Sequence, residues 1–139
     1  MNAPALAAQR ILLVDDDPLI LKALRMVLES DGHVVVTACG GAAGVTSVES
    51  ASASGEPYSV VMTDLNMPSI DGHQVARAVK AIAPDTAVVL MSGAIDPLSI
   101  ESGAPGTVDM ILSKPPNRTE LRMALQALRE RRESAGLRA

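Results

Sequence analysis

Three aspartates, Asp15, Asp16 and Asp17, stand in a row directly after the apolar run Ile11–Val14. A fourth, Asp64, closes the stretch "VVMTD". Ser92 follows the run "TAVVLM", and Lys114 follows "VDMIL" by one residue. If these run ends meet, Asp15, Asp16 and Asp64 repel one another, and either their pKa values rise or a cation sits among them. Hard oxygen ligands with room left for water suit Mg2+. A divalent metal and the Lys114 ammonium would together offset three ionised acids. Coordination positions would remain open for water and an incoming phosphoryl group. A carboxylate so placed is a competent nucleophile toward phosphorus, because the metal and the ammonium neutralise charge on the transferring oxygens.

The pattern around these residues predicts the elements that hold them. Short continuous apolar runs suit strands buried on both faces. They occur at Ile11–Val14, His33–Ala38, Ser59–Thr63, Thr86–Met91 and Val108–Leu112. Between them lie helical spacings. Pro18 suits a first helical position with Asp17 as its cap, Ile20, Leu24, Val27 and Leu28 recur on one face, and Asp31-Gly32 stops the helix. Residues 41–50 form a weaker helix, since Gly44, Thr46 and Ser47 are poor formers. Gly72–Ala83 presents Val75, Ala78, Val79 and Ile82. Asp96-Pro97 begins a short helix that Gly103, Pro105 and Gly106 cut off. Asn117 and Glu120 have capping-box spacing before Leu121, Leu125 and Leu128.

Five strands alternating with helices imply an α/β domain whose parallel sheet is covered on both faces, with right-handed crossovers. Sites in such sheets lie outside the carboxyl ends of the strands. Asp15, Asp16, Asp64, Ser92 and Lys114 all fall on that edge. Residues 1–9 read as a flexible tail, 10–130 as the domain, and 131–139 as a helix end or tail.

At 139 residues the chain suits one domain with a real core. Phe and Trp are absent, so the core must be aliphatic. The formal net charge of −4 argues against a nucleic-acid surface. Cys39 is the lone cysteine, which excludes an internal disulfide and points to a reducing, cytoplasmic setting. No apolar run reaches the about 18 residues that a membrane span needs. Cys39 reads as a small core residue. His33 and His73 lack partners at metal-ligand spacing and read as surface or packing residues. Asp71 reads as shaping a turn with Gly72, and "RERRES" as a solvated helix face.

The four motifs "ILLVDDDP", "VVMTDLNMPSIDG", "VVLMSG" and "ILSKP", in this order on alternating strands and loops, resemble a response-regulator receiver domain of two-component signalling over residues 10–130. The resemblance implies a flavodoxin-like, doubly wound sheet of strand order 2-1-3-4-5. It implies that Asp64 is the phosphoacceptor, that Asp15, Asp16 and Asp64 hold Mg2+ with the backbone carbonyl of Asn66, that Ser92 and Lys114 contact the phosphoryl group, and that Pro115 is cis. Its implied partners are a sensor histidine kinase or phosphotransfer domain and a downstream protein target. Direct DNA binding and membrane association are not expected, and the chain is expected to be a monomer or weak dimer. The module would promote its own phosphorylation and slow dephosphorylation rather than turn over an external substrate.

Departures from the family pattern fall on one face. Ile111 stands where the family usually carries Tyr or Phe, Pro116 where it often has Phe, and the fourth helix is short. Any activation shift is therefore expected to run through Ser92 and residues 93–106 without a rotamer switch at position 111. Two other functions are compatible with parts of the sequence. "VDDDP" contains an acid-x-acid pattern like that of haloacid-dehalogenase-type phosphatases, although no cap insert is visible. A receiver-like module could also dock a protein without phosphorylation.

Overall fold

The computed structural model describes residues 8–93 and 107–137. Strands β1 (Arg10–Asp15), β2 (Val34–Cys39), β3 (Val60–Asp64), β4 (Ala87–Ser92) and β5 (Met110–Ser113) form one parallel sheet in the order β2-β1-β3-β4-β5. The described helices are α1 (Pro18–Ser30), α2 (Gly41–Ala53), α3 (Gly72–Ile82) and α4 (Arg118–Leu137). This is the doubly wound α/β sheet expected from the alternation of elements. The short helix expected near Asp96 lies outside the described residues.

The continuous apolar runs arise because β1, β3 and β4 are covered on both faces. Ile11, Leu13, Val60, Met62, Val89 and Met91 pack with α1 and α4 through Leu24, Leu28, Leu121 and Leu125. Leu12, Val14, Val61 and Val88 face α2 and α3 through Val48, Val75 and Val79. Each fully buried aliphatic side chain of this kind contributes about 1.5–3 kcal/mol relative to exposure. Gly44 explains why a helix forms from weak formers over 41–53. A Cβ there would meet the Val14 methyls at 2.8 Å, so glycine lets α2 lie close on β1.

The helix ends are fixed as the side chains suggest. Asp17 caps α1 by accepting from the Leu19 N–H at 2.9 Å. Asn117 and Glu120 bond reciprocally at 2.8 and 3.0 Å before α4. Asp71 differs from its expected role as a turn former. It is the N-cap of α3 and forms a capping box with Gln74, both bonds at 2.9 Å. The spacing Asp-x-x-Gln carried that signal.

Two further expectations are corrected. Cys39 is exposed, not in the core, because it ends the edge strand β2. Gln9 is part of the fold and not of a loose tail, with 8% of its surface exposed. Of the two alternatives for residues 131–139, a helix end or a tail, α4 takes the first, running seven residues beyond Glu130 to Leu137. An Arg129–Glu133 pair at 3.1 Å supports that extension at i,i+4 spacing. Within "RERRES", Arg132 is half-buried and donates to Gln9 Oε1 at 3.0 Å, so this face is not wholly solvated.

Candidate functional site

Sheet register brings the acids together. Val14 lies beside Thr63 in the β1–β3 ladder, so the next residues, Asp15 and Asp64, emerge side by side at the carboxyl edge. Asp64 pairs with Met91, and Ser92 pairs with Ser113, which sets Ser92 and Lys114 along the same edge. Each of Asp15, Asp16 and Asp64 brings a carboxylate oxygen within 4.8 Å of the others. Asp15 is fully buried and Asp64 nearly so, while Asp16 is exposed at the mouth.

Lys114 closes the cluster. Its Nζ lies 2.8 Å from Asp15 Oδ2 and 3.0 Å from Asp64 Oδ2. Asp15 Oδ1 accepts from the Asp17 N–H at 2.9 Å. Asp15 Oδ2 is buried with the Lys114 ammonium as its partner. Burial pushes the Asp15 carboxyl above its ordinary value, and the charge on Asp64 adds to this against the pull of Lys114 and the Asp17 amide. Burial alone would lower the Lys114 pKa, but its two carboxylate partners outweigh burial and raise it.

Ser92 is buried at the end of β4, and its carbonyl accepts from the Lys114 N–H at 2.9 Å. This ties the Lys114 backbone to β4. The Lys114–Pro115 peptide is cis. Asn66 is exposed in the loop just beyond Asp64. Asp15, Asp16, Asp64 and Lys114 thus converge through their side chains, while Ser92 ends β4 on the same edge and Asn66 lies two residues beyond Asp64. Ile111 is half-buried on β5, and Pro116 is buried after it. The activation route expected through residues 93–106 falls almost wholly outside the described residues.

Two supporting contacts were not anticipated. The Thr63 hydroxyl donates to the Asp64 carbonyl at 3.0 Å. Gly72 packs against that same carbonyl so closely that a Cβ would lie 2.5 Å from the oxygen. The Asp-Gly pair signals a turn, but only the tertiary approach of α3 shows why position 72 lacks a side chain.

The pocket fits a divalent cation on its own chemistry. Its donors are hard carboxylate oxygens, two of the three acids are buried beside a single ammonium, and the third acid stays open to solvent. A profile of the response regulator receiver domain matches residues 11–126. This chain belongs to that family. The response regulator receiver protein CpdR of Brucella abortus is 34% identical over 108 residues, which cover 77% of this chain and 85% of that protein. The transcriptional regulatory protein TcrA of Mycobacterium tuberculosis is 32% identical over 122 residues, 88% of this chain. The receiver chain spans only 46% of TcrA. The solved receiver domain of the sensor histidine kinase PA1611 from Pseudomonas aeruginosa, which has a magnesium ion coordinated in its active site cleft, matches with a TM-score of 0.74 at 25% identity. That match covers 88% of this chain and 98% of the other.

The acidic pocket of Asp15, Asp16 and Asp64 therefore fits the phosphoacceptor site of a receiver domain. The phosphatase and phosphorylation-independent readings gain no support. No helix among the described residues is long and apolar enough to cross a membrane.

Proposed function

We propose that Asp64 accepts a phosphoryl group from a phosphohistidine on a partner histidine kinase or phosphotransfer domain. An Asp64 carboxylate oxygen forms the new bond to phosphorus. The P–N bond of the donor breaks, and its electron pair returns to the imidazole. The observation that carries this reading is the position of Lys114 Nζ, 2.8 Å from Asp15 and 3.0 Å from Asp64. One ammonium thereby holds the nucleophile and the neighbouring acid in a fixed relation.

Asp15, Asp16, Asp64 and the Asn66 backbone carbonyl would hold Mg2+. Bound there, the ion would neutralise charge on the phosphoryl oxygens. Lys114 balances charge from the opposite side, and the Ser92 hydroxyl takes one phosphoryl oxygen. Asp15 is held for its part by the Asp17 N–H. The output is a conformational change read by a downstream protein in the cytoplasm, with the domain acting as a signalling module. The net charge of −4 supports a protein target over direct binding to DNA.

Intact-mass measurement after incubation with Mg2+ and acetyl phosphate tests the assignment. The expected result is one phosphoryl adduct in wild type that needs Mg2+ and is lost in Asp64→Asn. An adduct that persists in folded Asp64→Asn would place the acceptor elsewhere.

A further inference from the structure

At the opposite edge of the sheet, His33 joins three elements. It follows α1, whose Leu28 carbonyl accepts the His33 N–H at 3.2 Å, and it precedes β2. The ring is buried, with 5% of the residue exposed. His33 Nδ1 accepts the backbone N–H of Gln9 at 3.1 Å, just before β1. An acceptor Nδ1 requires a neutral ring with its proton on Nε2. That Nε2 is buried without a partner.

Gln9 passes the contact on to α4. Its side-chain amide donates to the Leu125 carbonyl at 3.5 Å, and its Oε1 accepts from Arg132 Nη2 at 3.0 Å. Ala8, Gln9, Ser59, Arg129, Arg132 and Glu133 line an open cleft of about 300 Å³. Gln9 therefore borders an open cleft on its α4 side. The residue that His33 holds by its backbone is the same residue that holds the second half of α4 by its side chain.

We propose that His33 is an acid-sensitive latch. In its neutral form it fastens Gln9, and through Gln9 the Leu125–Arg132 stretch of α4, to the sheet. In its protonated form it loosens that hold and leaves Gln9 tied to β2 through the Val34 N–H on its carbonyl, at 3.0 Å. A proton on Nδ1 removes the acceptor and points an N–H at the Gln9 N–H, so the two groups must separate. The buried imidazolium gains no hydrogen bond inside that repays its lost hydration.

The surrounding charges do not rescue the protonated ring. Asp31, on the turn after α1, is the acid beside it, but Arg122 of α4 grips both of its oxygens at 2.7 and 2.9 Å. Arg118 donates to Ser30 Oγ at 2.7 Å and adds positive charge on the same side, as Arg132 does through Gln9. On β1, Arg10 stacks over Tyr58, which belongs to the other face of the sheet. Burial lowers the His33 pKa, with Asp31 only partly opposing it. The sign follows from linkage. The latch is fully closed above the ordinary histidine range and is lost as pH falls below it.

Hydrogen exchange of α4 peptides over residues 126–133, corrected for intrinsic rates, tests the latch between about pH 7.5 and pH 5.5. Wild type should lose protection by up to about tenfold per pH unit, the limit for one proton. His33→Gln offers Gln9 an acceptor that does not titrate and should show no such loss. His73→Gln should behave like wild type. Equal acid loss in wild type and His33→Gln would overturn the latch. If His33→Gln does not fold, NMR titration of wild type decides. The His33 ring and the Gln9 and Arg132 amides should share one midpoint, and ring titration that leaves those amides unmoved would refute the proposal.

Discussion

Asp15→Asn should stabilise the metal-free protein at about pH 7 and weaken its response to Mg2+, so that adding metal reverses the ranking of the two proteins. Asp15 is fully buried, and burial is the largest influence on its carboxyl. The balance leaves its pKa raised even though Lys114 Nζ stands 2.8 Å away. A folded-state pKa above the unfolded 3.8 means that the native protein disfavours the ionised form. The cost is absent below that value and grows as pH rises from it through the folded pKa. Asparagine keeps the shape and an oxygen for the Asp17 N–H, removes the repulsion with Asp64, and leaves Lys114 paired with Asp64 at 3.0 Å. Without metal the expected direction is a gain in stability. Mg2+ at a hundredfold excess over its dissociation constant should stabilise wild type by about 2.7 kcal/mol, and the variant by less because a charged ligand is gone. Urea denaturation with and without saturating Mg2+ measures both quantities. An Asp15→Asn protein that is less stable than wild type without metal, or that gains as much from Mg2+, would refute this account of the pocket.

Two further substitutions probe the supports of Asp64. Gly72→Ala would put a Cβ 2.5 Å from the Asp64 carbonyl oxygen and 2.6 Å from Leu90 Cδ2. The oxygen belongs to the backbone and cannot rotate aside, so a loss of about 1–3 kcal/mol and slower adduct formation are expected. Unchanged denaturation and adduct kinetics would show that α3 tolerates the displacement. Lys114→Met removes the counter-charge from two buried acids and should cost about 3 kcal/mol without metal. The raised Lys114 pKa means that its contribution is present below 10.5 and lost as pH climbs through the folded value. Wild type should therefore show an alkaline loss in urea midpoint that Lys114→Met lacks, and an identical alkaline limb in both would assign it to another group.

What the sequence reveals and what it hides divide along physical lines. Inner strands buried on both faces need unbroken apolar runs, so a carboxylate at the end of such a run is visible at once, as at Asp15 and Asp64. Parallel alternation then forces both ends onto one edge, and the acid cluster follows without coordinates. Local hydrogen bonds are legible for the same reason, because Asn117 and Glu120 need only the right spacing. Cys39 was misplaced because periodicity reports which face a residue takes and not whether its strand lies at the sheet's border. Gln9 was misplaced because one polar residue before a strand carries no pattern. Its partners are 24, 116 and 123 positions away, at His33, Leu125 and Arg132. Repeats of two or 3.6 residues cannot encode contacts at such separations. The phosphoacceptor edge is thus written in strand ends, whereas the opposite edge is built from single polar residues that acquire meaning only once the chain has closed on itself. That is why a latch at His33 is invisible in the motif "DGHVVV" and follows only from the fold.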